Sequence, residues 1–415
     1  MVEHRLRDTT ESSRNAGENS DASRGETLQI LQCAREIRPG GGVCGVAYDL
    51  EKEFFRLGTR VDRLTLESLG YGSGSTPNTG SLLVRKALLL RDVVFFSIVG
   101  TLALRARQVS RKEVITITHG DAVAGDIYVN HGLHRAMLFR SGRSLRMLLR
   151  NPLHVFLLVR EWVRFRLPVH RRIVCFSRSE RALLLKHYPH LRAAVEIIPN
   201  GVDIERFSPD PNVRASTRSS LMISDRDFIL IFVGHEFDRK GLGILIDALA
   251  LLPPSVKLLV VGNSPEHSMR RYRDMSYRNG TDHRVSFLGG RADVAALMNA
   301  ADIFALPTEF ESWALVGLEA MACGVPVLAP PVGGIPDYLH DGKNGLTIDR
   351  NAENVAAKVR ALMSDPEVMA KMRRCARETA VKFSWSSIAK QYLRLARQIR
   401  TEKMQAWPSD DADPR

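Results

Sequence analysis

The sequence predicts an α/β protein with two Rossmann-like domains, each built on a doubly wound parallel sheet. Apolar runs that suit buried strands alternate with segments of helical apolar spacing, and glycine-containing turns separate them. The clearest unit spans residues 301–328, where strand, loop, helix, Gly324 and a second strand follow in order. A chain of 415 residues is long enough for two domains with separate cores.

Composition disfavours several classes of protein. The hydrophobic content of 44% and charged content of 25% are typical of globular proteins. The five cysteines are scattered without a C-x-x-C pair, so we expect no zinc site or disulfide framework and a reducing compartment. The start of the chain lacks the apolar core of a signal peptide, and we expect no helix long and apolar enough to span a membrane.

The net charge of +13 is concentrated in one part of the chain. Between Gly132 and Ala182 there are twelve arginines, opposed only by Glu161 and Glu180. Residues 151–166 form a basic, aromatic and amphipathic segment within this stretch. Three interpretations stay open: it lies on an anionic membrane surface, it binds an acidic acceptor or nucleic acid, or it is a solvated helix with an apolar stripe facing the core.

The first strand leads into a glycine-rich turn. Residues 28–33 read as a strand, residues 40–42 are all glycine, and residues 43–57 have helical spacing. A strand, a glycine-rich turn and a helix together make an anion site, although a simple tight turn has the same pattern. The spacing is not G-x-G-x-x-G, which disfavours a dinucleotide-dependent oxidoreductase.

Further strands are predicted at residues 60–66, 93–99, 114–119 and 172–177, and residues 71–80 read as a flexible loop. His119 falls at the carboxyl end of its strand, the edge at which open α/β sheets bind ligands. Asp126, His131 and His134 follow. They line an acceptor cleft or serve as helix caps and surface groups.

A cationic turn opens the second domain. Residues 228–233 form an apolar strand, residues 241–252 an amphipathic helix, and Arg239 and Lys240 stand between them. Two cations at the mouth of a sheet suit a diphosphate, because arginine binds it with a two-pronged fork and lysine acts as a point charge.

Two carboxylates separated by seven residues form the most informative motif. Glu311 falls on the loop after a strand, and Glu319 lies about two turns along the next helix. The backbone N–H groups of residues 313–316, near the start of that helix, are free to hold an anion.

This motif, with Pro307 before it and A-M-A-C-G-V-P-V-L after it, resembles the E-x7-E signature of family 4 retaining glycosyltransferases (glycosyltransferase group 1). The segment F-V-G-H-E-F-D-R-K-G is similar to that of bacterial lipopolysaccharide-core glucosyltransferases. The resemblance covers roughly residues 27–400 and implies the GT-B fold, with two domains facing a cleft. The chain departs from the family pattern at His235, where many members have Arg, and at Ala314, where most have Gly.

The resemblance implies a role for each matching residue. Glu311 contacts the donor sugar and steadies positive charge on its ring, and Glu319 binds the ribose hydroxyls. Arg239 and Lys240 take the diphosphate, and His119 contacts the sugar near its reacting carbon. The other implied donor-binding residues are Gly41, Gly42, Gly290, Arg291, Trp313, Ala314, Leu315 and Val316.

The resemblance also implies a division of the chain and a site that needs no metal. The predicted parts are a disordered tail (1–25), an acceptor domain (26–206), a donor domain (207–384), a helix that packs back on the first domain (385–403) and a disordered tail (404–415). The D-x-D string at Asp225–Asp227 precedes a strand and reads as a polar loop, so neither a metal nor another cofactor is expected.

The leading functional hypothesis is a retaining hexosyltransferase that uses a nucleotide sugar, with a UDP-sugar as first choice. Its expected acceptor is a lipid-linked or envelope glycan, as in lipopolysaccharide biosynthesis. The expected location is the cytoplasm, at the inner face of the cell membrane, with an anionic membrane surface as partner and no nucleic acid. The alternatives are a GT-B sugar-nucleotide epimerase and a non-catalytic basic protein that binds nucleic acid or membranes.

Overall fold

The computed structural model describes residues 28–71, 82–111, 113–140, 148 and 151–405. The predicted tail at 1–25, nearly all of the predicted loop at 71–80 and the last ten residues of the chain lie outside these described residues. The described chain contains two six-stranded sheets in which every strand pair is parallel. The predicted α/β class with two doubly wound sheets is confirmed.

The first sheet has the order β2-β1-β3-β4-β5-β6. Its strands are β1 Gln29–Cys33, β2 Arg60–Leu64, β3 Ile115–His119, β4 Ile127–Val129, β5 Arg172–Cys175 and β6 Ala194–Ile197. The helices of this part are α1 Gly42–Arg56, α2 Leu82–Phe95, α3 Thr101–Ser110, α4 His134–Arg140, α5 Pro152–Arg166 and α6 Arg178–His187.

The second sheet has the order β12-β11-β10-β7-β8-β9. Its strands are β7 Phe228–Val233, β8 Val256–Val261, β9 Val285–Gly289, β10 Ile303–Ala305, β11 Val327–Ala329 and β12 Gly345–Thr347. The helices are α7 Pro211–Ser220, α8 Phe237–Lys240, α9 Leu242–Ala250, α10 Glu266–Arg278, α11 Val294–Ala300, α12 Leu315–Ala322, α13 Ala352–Met363, α14 Pro366–Lys382 and α15 Trp385–Gln405.

The sequence of β7 explains why this strand lies in the middle of the second sheet. The central strand β7 reads F-I-L-I-F-V, and its inner four residues are fully buried because helices cover both faces of the sheet. Helix starts nearby have the expected side-chain caps: Asp210 accepts from Asn212 N at 2.9 Å, and Asp365 accepts from Val368 N at 2.9 Å.

The last helix, α15, returns to the first domain. It packs against α1 and β3, and its Glu402 forms an ion pair with Arg172 at the start of β5. Lys403 Nζ lies 3.2 Å from Asp126 Oδ2. Asp126 is buried and also accepts from the Thr116 N–H at 3.0 Å, so it joins β3 to the last helix and does not line a cleft.

Residues 93–99, predicted as a strand, are helical. They span the end of α2 and a π-helical turn, Phe96–Gly100, that continues directly into α3. Phe96 and Leu104 pack against the first sheet through Leu31 and Leu64. A short apolar run suits a buried helix as well as a strand, so its apolar character did not distinguish the two.

The continuous helix Ala87–Ser110 also contradicts the expectation that no helix here could span a membrane. It has 24 residues, and its most apolar window of 18 residues has a mean hydropathy of 2.0, so its length and composition alone would suffice for a span. About 28% of its most apolar window is buried in the protein. One face of this helix is therefore part of the core, and much of the rest is open.

Candidate active site

The carboxyl edges of the two sheets face each other across a cleft. At one end, the backbone N–H and Nε of Arg178 donate to the carboxylate of Asp337 at 2.9 and 2.6 Å. Ser179 Oγ donates to the carbonyl of Gly333 at 2.6 Å. A Cβ built on Gly132 would lie 3.8 Å from Ser312 Oγ, so the loop after β4 approaches the loop that carries the glutamate motif.

Glu311 is at the centre of this edge of the second sheet. Its Oε1 lies 2.7 Å from Lys240 Nζ and 3.3 Å from Arg239 Nη1, and it accepts from Thr308 Oγ1 at 3.4 Å. The side chains of Lys240 and Glu311 are only 12% and 11% exposed. The structure therefore brings both predicted cations and the first predicted glutamate into one charged cluster.

Glycines allow this close approach. Gly234 lies directly after β7, and a Cβ on it would lie 2.3 Å from Lys240 Cδ. The absence of a side chain at this glycine therefore allows the Lys240 side chain to pack against the end of β7. Gly241 ends α8 with φ +80°, and a Cβ there would lie 2.2 Å from the carbonyl oxygen of Pro307. The R-K-G sequence thus packs directly against the start of the glutamate loop.

The glutamate loop is also fixed from its other side. Gly333 has φ +58°, and a Cβ on it would lie 1.5 Å from the carbonyl oxygen of Glu311. Ala314 precedes α12 in the left-handed region with φ +56°, which is strained for a residue that has a Cβ. Its carbonyl accepts from Tyr338 Oη at 3.1 Å. The N–H groups of Leu315 and Val316 are in the first turn of α12, where an α-helix has no acceptor for them.

The indole of Trp313 packs behind the loop. It is buried against Tyr338 and Phe383, with ring centroids 5.6 and 5.8 Å apart. Only the backbone of Trp313 is therefore placed to face a donor, which is the part of the residue that the sequence predicted.

Glu319, the second glutamate of the motif, lies on α12 and is half-buried. Burial raises its pKa to about 7; the carboxylate of Asp49 adds to this rise and Arg206 opposes it. No hydrogen bond to its carboxylate occurs within the described part of the chain. A half-buried carboxylate that has no hydrogen-bond donor within the protein can accept hydrogen bonds from hydroxyl groups of a ligand.

The remaining predicted donor-binding residues lie at the carboxyl ends of β1 and β9. Gly41 caps α1, and Gly42 begins it with φ +73°. The N–H of Gly290 already donates to Asn263 Oδ1 at 2.7 Å, and Arg291 pairs with Asp293 at 2.6 Å on the surface. Asn263 was not found by the sequence argument, because a single Asn after a strand has no distinctive pattern.

His235 also lies beside this asparagine. Its Nδ1 lies 3.1 Å from the backbone N–H of Asn263, so in this structure it joins the ends of β7 and β8. The predicted cationic turn therefore presents Arg239 and Lys240 to the cleft, whereas His235 holds two loops together.

His119 ends β3 as predicted, but it is only 1% exposed and both of its ring nitrogens are occupied. Nε2 lies 2.9 Å from Gln32 Oε1, and Nδ1 lies 3.3 Å from His131 Nε2. Burial, followed by the nearby His131, lowers the pKa of His119 well below its usual value. Both ring nitrogens of His119 therefore have partners within the protein in this structure, and the contact between His119 and a sugar stays a prediction.

The arginine-rich stretch is largely structural where the structure describes it. Arg160 pairs with Asp121 at 2.6 Å, and buried Arg164 donates to the carbonyls of the loop after β3, including Ala122 O at 3.0 Å. His134 stacks on His154 with ring centroids 5.1 Å apart. The basic composition of this stretch therefore does not by itself indicate a free basic surface.

The D-x-D string is part of a turn before β7. Asp227 accepts from Lys257 Nζ and from the Ser224 N–H, both at 2.7 Å. Among the described residues there is no group of three or more His, Cys, Asp or Glu side chains that could hold a metal ion.

Two facing parallel-sheet domains, with paired cations and glutamates at the edge of the cleft, define the GT-B class of glycosyltransferase folds. Residues 213–379 match the family model described as "Glycosyl transferases group 1". This part of the chain, which holds most of the second domain, is therefore similar to the glycosyl transferases group 1 family.

Curated glycosyltransferases are similar to part of this chain. A D-inositol 3-phosphate glycosyltransferase from Corynebacterium glutamicum is 34% identical over 227 residues, which are 52% of this chain and 54% of the relative. The chain thus spans about half the length of the curated relatives it matches.

Two solved structures show the same fold over most of the chain. WaaG, a glycosyltransferase involved in lipopolysaccharide biosynthesis, has a TM-score of 0.67 at 22% identity, covering 88% of this chain and 99% of WaaG. Anabaena HepE, solved with UDP-glucose, has a TM-score of 0.61 at 21% identity, covering 89% of this chain and 100% of HepE.

Proposed function

We propose that the protein is a retaining, metal-independent glycosyltransferase that moves a hexose from a nucleotide diphosphate sugar to a lipid-linked or envelope glycan. The observation that carries this proposal is the cluster of Lys240, Arg239 and Glu311 at the cleft, with Glu319 on the following helix, whose carboxylate has no hydrogen-bond partner among the described residues. The E-x7-E resemblance supports retention, and the match of residues 213–379 supports glycosyl transfer.

The cluster suits the charge changes of the reaction. In glycosyl transfer the bond between the anomeric carbon and a phosphate oxygen breaks, and a bond to an acceptor hydroxyl oxygen forms as its proton is released. Negative charge grows on the leaving diphosphate, and cations already in place stabilise it without reorganisation. Lys240, Arg239 and the first turn of α12 supply this positive potential at the sheet edge.

The glutamates have complementary tasks in this proposal. Glu311 contacts the hydroxyl groups of the donor sugar and steadies positive charge on the ring as the bond breaks. Glu319 accepts the two hydroxyl groups of the nucleotide ribose. In the absence of a donor, Glu311 pairs with both cations and Glu236 pairs with Arg239 at 2.6 Å, so the diphosphate and Glu311 share Lys240 and Arg239 once a donor is bound.

A donor screen tests the proposal. UDP-, GDP- and ADP-sugars are compared for their ability to raise the unfolding temperature, because a ligand that binds the folded state stabilises it. UDP-glucose is the first probe, because Anabaena HepE was solved with it. The nucleotide released from the best donor is then measured in wild type, Glu311→Ala, Lys240→Ala and the exposed control Lys343→Ala.

We expect the control to match wild type and both cluster variants to lose most of their turnover. Near-wild-type turnover in both cluster variants would refute the site assignment. A product sugar that is epimerised without any acceptor would favour the epimerase alternative instead.

A membrane location is the second part of the proposal, and exposed apolar side chains of the first domain support it. On α5, Val155, Val159 and Trp162 are exposed at helical spacing, whereas Glu161 and Arg164 are buried. These three apolar side chains therefore face outward, whereas Phe165 of the same helix is buried.

The neighbouring apolar helix continues this surface. Ile98 and Leu102 are exposed one turn apart, and Arg160 Nη1 donates to Ser97 Oγ at 3.1 Å where the two helices meet. Between residues 81 and 170 the sequence has fifteen Lys and Arg against five Asp and Glu, so this part carries +10 of the net +13. An apolar face in a basic domain suits the surface of an anionic bilayer.

Liposome sedimentation tests this part of the proposal. We expect binding to vesicles that contain anionic lipid, and a loss of at least tenfold in the Val159→Glu, Trp162→Glu double variant. Val381→Glu, at an exposed apolar position of the second domain, is the control and should bind as wild type does. Equal binding to neutral vesicles, or a dimer in solution that the double variant dissociates, would contradict it.

A further inference from the structure

A cavity of about 420 Å³ lies on one face of the first sheet, under the end of α3. Its floor is a row of three side chains in register on adjacent strands, Asp62, Leu31 and Thr116. Small-molecule sites in proteins usually have volumes of roughly 300–1,000 Å³, so this cavity is large enough for a ligand.

The cavity is separate from the cleft between the two domains. The cleft lies at the carboxyl ends of the strands, where His119 ends β3. The cavity is lined by Val114, directly before β3, and by Thr116 near the start of that strand. Thr116 precedes His119 by three residues, which is about 10 Å along a strand. A ligand in the cavity would therefore lie on the face of the sheet and away from the charged cluster of the cleft.

Two arginines at the end of α3 cover this floor. Leu104 is buried in the same cluster as Leu31, and Arg107 and Arg111 follow it by three and seven residues, the spacing of one helix face. Apolar side chains usually occupy a face that packs on a sheet, because a guanidinium group without acceptors is costly there. Arg107 is only partly exposed, so its charge is directed into the cavity.

Most N–H donors of these two guanidinium groups have no partner among the described residues. Arg107 donates there only to the carbonyl of Arg63, at 3.4 Å. Within the same part of the chain, the guanidinium of Arg111 donates only to Asp62 Oδ2, also at 3.4 Å. That oxygen accepts a shorter bond of 2.7 Å from Gln29 Nε2. Because a guanidinium group has five N–H donors, both arginines can bind a further acceptor.

The charges that line the cavity do not balance. Arg107 and Arg111 contribute two positive charges, and Asp62 contributes one negative charge. Arg63 also lines the cavity, but its side chain pairs with Glu51 of α1. One positive charge remains in excess, which favours an anionic ligand.

We propose that this cavity binds a small, soluble phosphate ester that carries a hydroxyl group. The phosphate oxygens accept from Arg107 and Arg111, because the fork of a guanidinium group matches two oxygens of a phosphate. The hydroxyl group donates to the carboxylate of Asp62, and the carbon atoms of the ester lie on Leu31. Binding there requires no glycosyl transfer, so the site would act as a regulatory or stabilising site outside the cleft.

A soluble ester fits the position of the cavity better than a lipid headgroup does. Leu102 and Val109 are the exposed apolar residues of α3, and Val109 lies about 200° around the helix from Arg107. A bilayer in contact with these two side chains would therefore be on the opposite side of α3 from the cavity.

Calorimetric titration of the full chain with glycerol 3-phosphate, inorganic phosphate and glycerol tests the site. We expect glycerol 3-phosphate to bind more tightly than phosphate, and glycerol not to bind. Arg107→Met and Arg111→Met should each weaken binding of both anions about tenfold or more. Asp62→Ala should abolish the advantage of glycerol 3-phosphate over phosphate. Arg105→Met, at an exposed position of the same helix, is the matched control and should bind as wild type does.

Thermal unfolding separates loss of the ligand from loss of the fold. Methionine suits a position that faces the sheet, so Arg107→Met without ligand should unfold at a temperature at least as high as that of wild type. Glycerol 3-phosphate should raise the unfolding temperature of wild type and leave that of Arg107→Met unchanged. Lys240→Ala should keep the binding, because Lys240 belongs to the cleft.

Three results would overturn the inference: no binding of either anion by wild type, unchanged binding in Arg107→Met, or binding that Lys240→Ala abolishes. Sedimentation with anionic vesicles should be the same for Arg107→Met and wild type. A loss there would identify the ester as a lipid headgroup and overturn the soluble ligand. Failure of the nucleotide-sugar screen would refute the proposed function and leave these outcomes unaffected.

Discussion

The ion pair between Lys240 and Glu311 can be tested by replacing the two residues with Met and Gln, singly and together. The charged atoms are 2.7 Å apart and both side chains are nearly buried. Coulomb attraction at this distance amounts to about 6 kcal/mol at an effective dielectric constant of about 20, and desolvation offsets much of it. Removal of one partner then leaves a charge that is only partly compensated.

The second cation makes the two single variants unequal. After Lys240→Met, Arg239 still lies 3.3 Å from Glu311, so we expect a loss of about 2 kcal/mol in the free energy of unfolding. Glu311→Gln leaves the nearly buried Lys240 without its carboxylate, whereas Arg239 keeps its pair with Glu236 at 2.6 Å, and we expect a loss of about 3 kcal/mol. The double variant should also lose about 3 kcal/mol, which corresponds to a coupling energy of about 2 kcal/mol.

Urea unfolding followed by circular dichroism measures this coupling in a double-mutant cycle. The control is Arg291 with Asp293, which form a pair at 2.6 Å on the surface; Arg291→Met and Asp293→Asn should show no resolvable coupling. If the losses of the Lys240 and Glu311 variants simply add, the two residues do not interact in solution, and the charge balance described for the cleft is wrong.

Three further predictions concern the glutamate motif and the glycine that packs against it. Burial raises the pKa of Glu319 to about 7, so its carboxylate becomes protonated as the pH drops from about 8 to 6. Calorimetry should therefore show that the affinity for UDP-glucose falls over this range in wild type, whereas Glu319→Gln should bind weakly at every pH. A wild-type affinity that does not change with pH would contradict this. The same raised pKa should make the unliganded protein less stable as the pH rises from 4.5 through about 7, because Glu319 ionises at lower pH in the unfolded chain than in the folded one. In thermal unfolding, the unfolding temperature of Glu319→Gln should therefore fall less over this pH range than that of wild type. Gly333→Ala should displace the carbonyl of Glu311 and abolish donor binding. The control Gly342→Ala is also at positive φ but faces open space, so it should lose only about 1 kcal/mol of the free energy of unfolding in urea and still bind the donor. Equal behaviour of the two variants would contradict the proposed packing.

The fold was predictable because its signals are local. Apolar strands such as β7 and glycine-ended helices such as α12 are visible over a few residues, and their alternation predicts parallel sheets. Residues 93–99 were the exception. They form a short apolar run that could be a strand or a helix, and the packing of Phe96 against the first sheet decided for the helix.

The candidate site was predictable in the second domain and less so in the first. Arg239, Lys240 and Glu311 follow the ends of adjacent strands, so their meeting follows from the order of the sheet. The resemblance assigned the sugar contact to His119 and left His131 as a cleft, cap or surface residue, but the sequence did not show that His119 is buried. Which of them is buried depends on Gln32, which is distant in the chain and hydrogen-bonded to His119.

The sequence by itself determined the two-sheet architecture, the cationic turn and the spacing of the glutamates, because each depends on residues close together along the chain. Only the tertiary structure decided which arginines of the first domain bond within the protein, which residues of α5 point outward, and that the imidazole of His119 is buried. Those properties arise from contacts between residues far apart in sequence, where burial and hydrogen-bond partners are set by the packing of whole elements and not by local pattern.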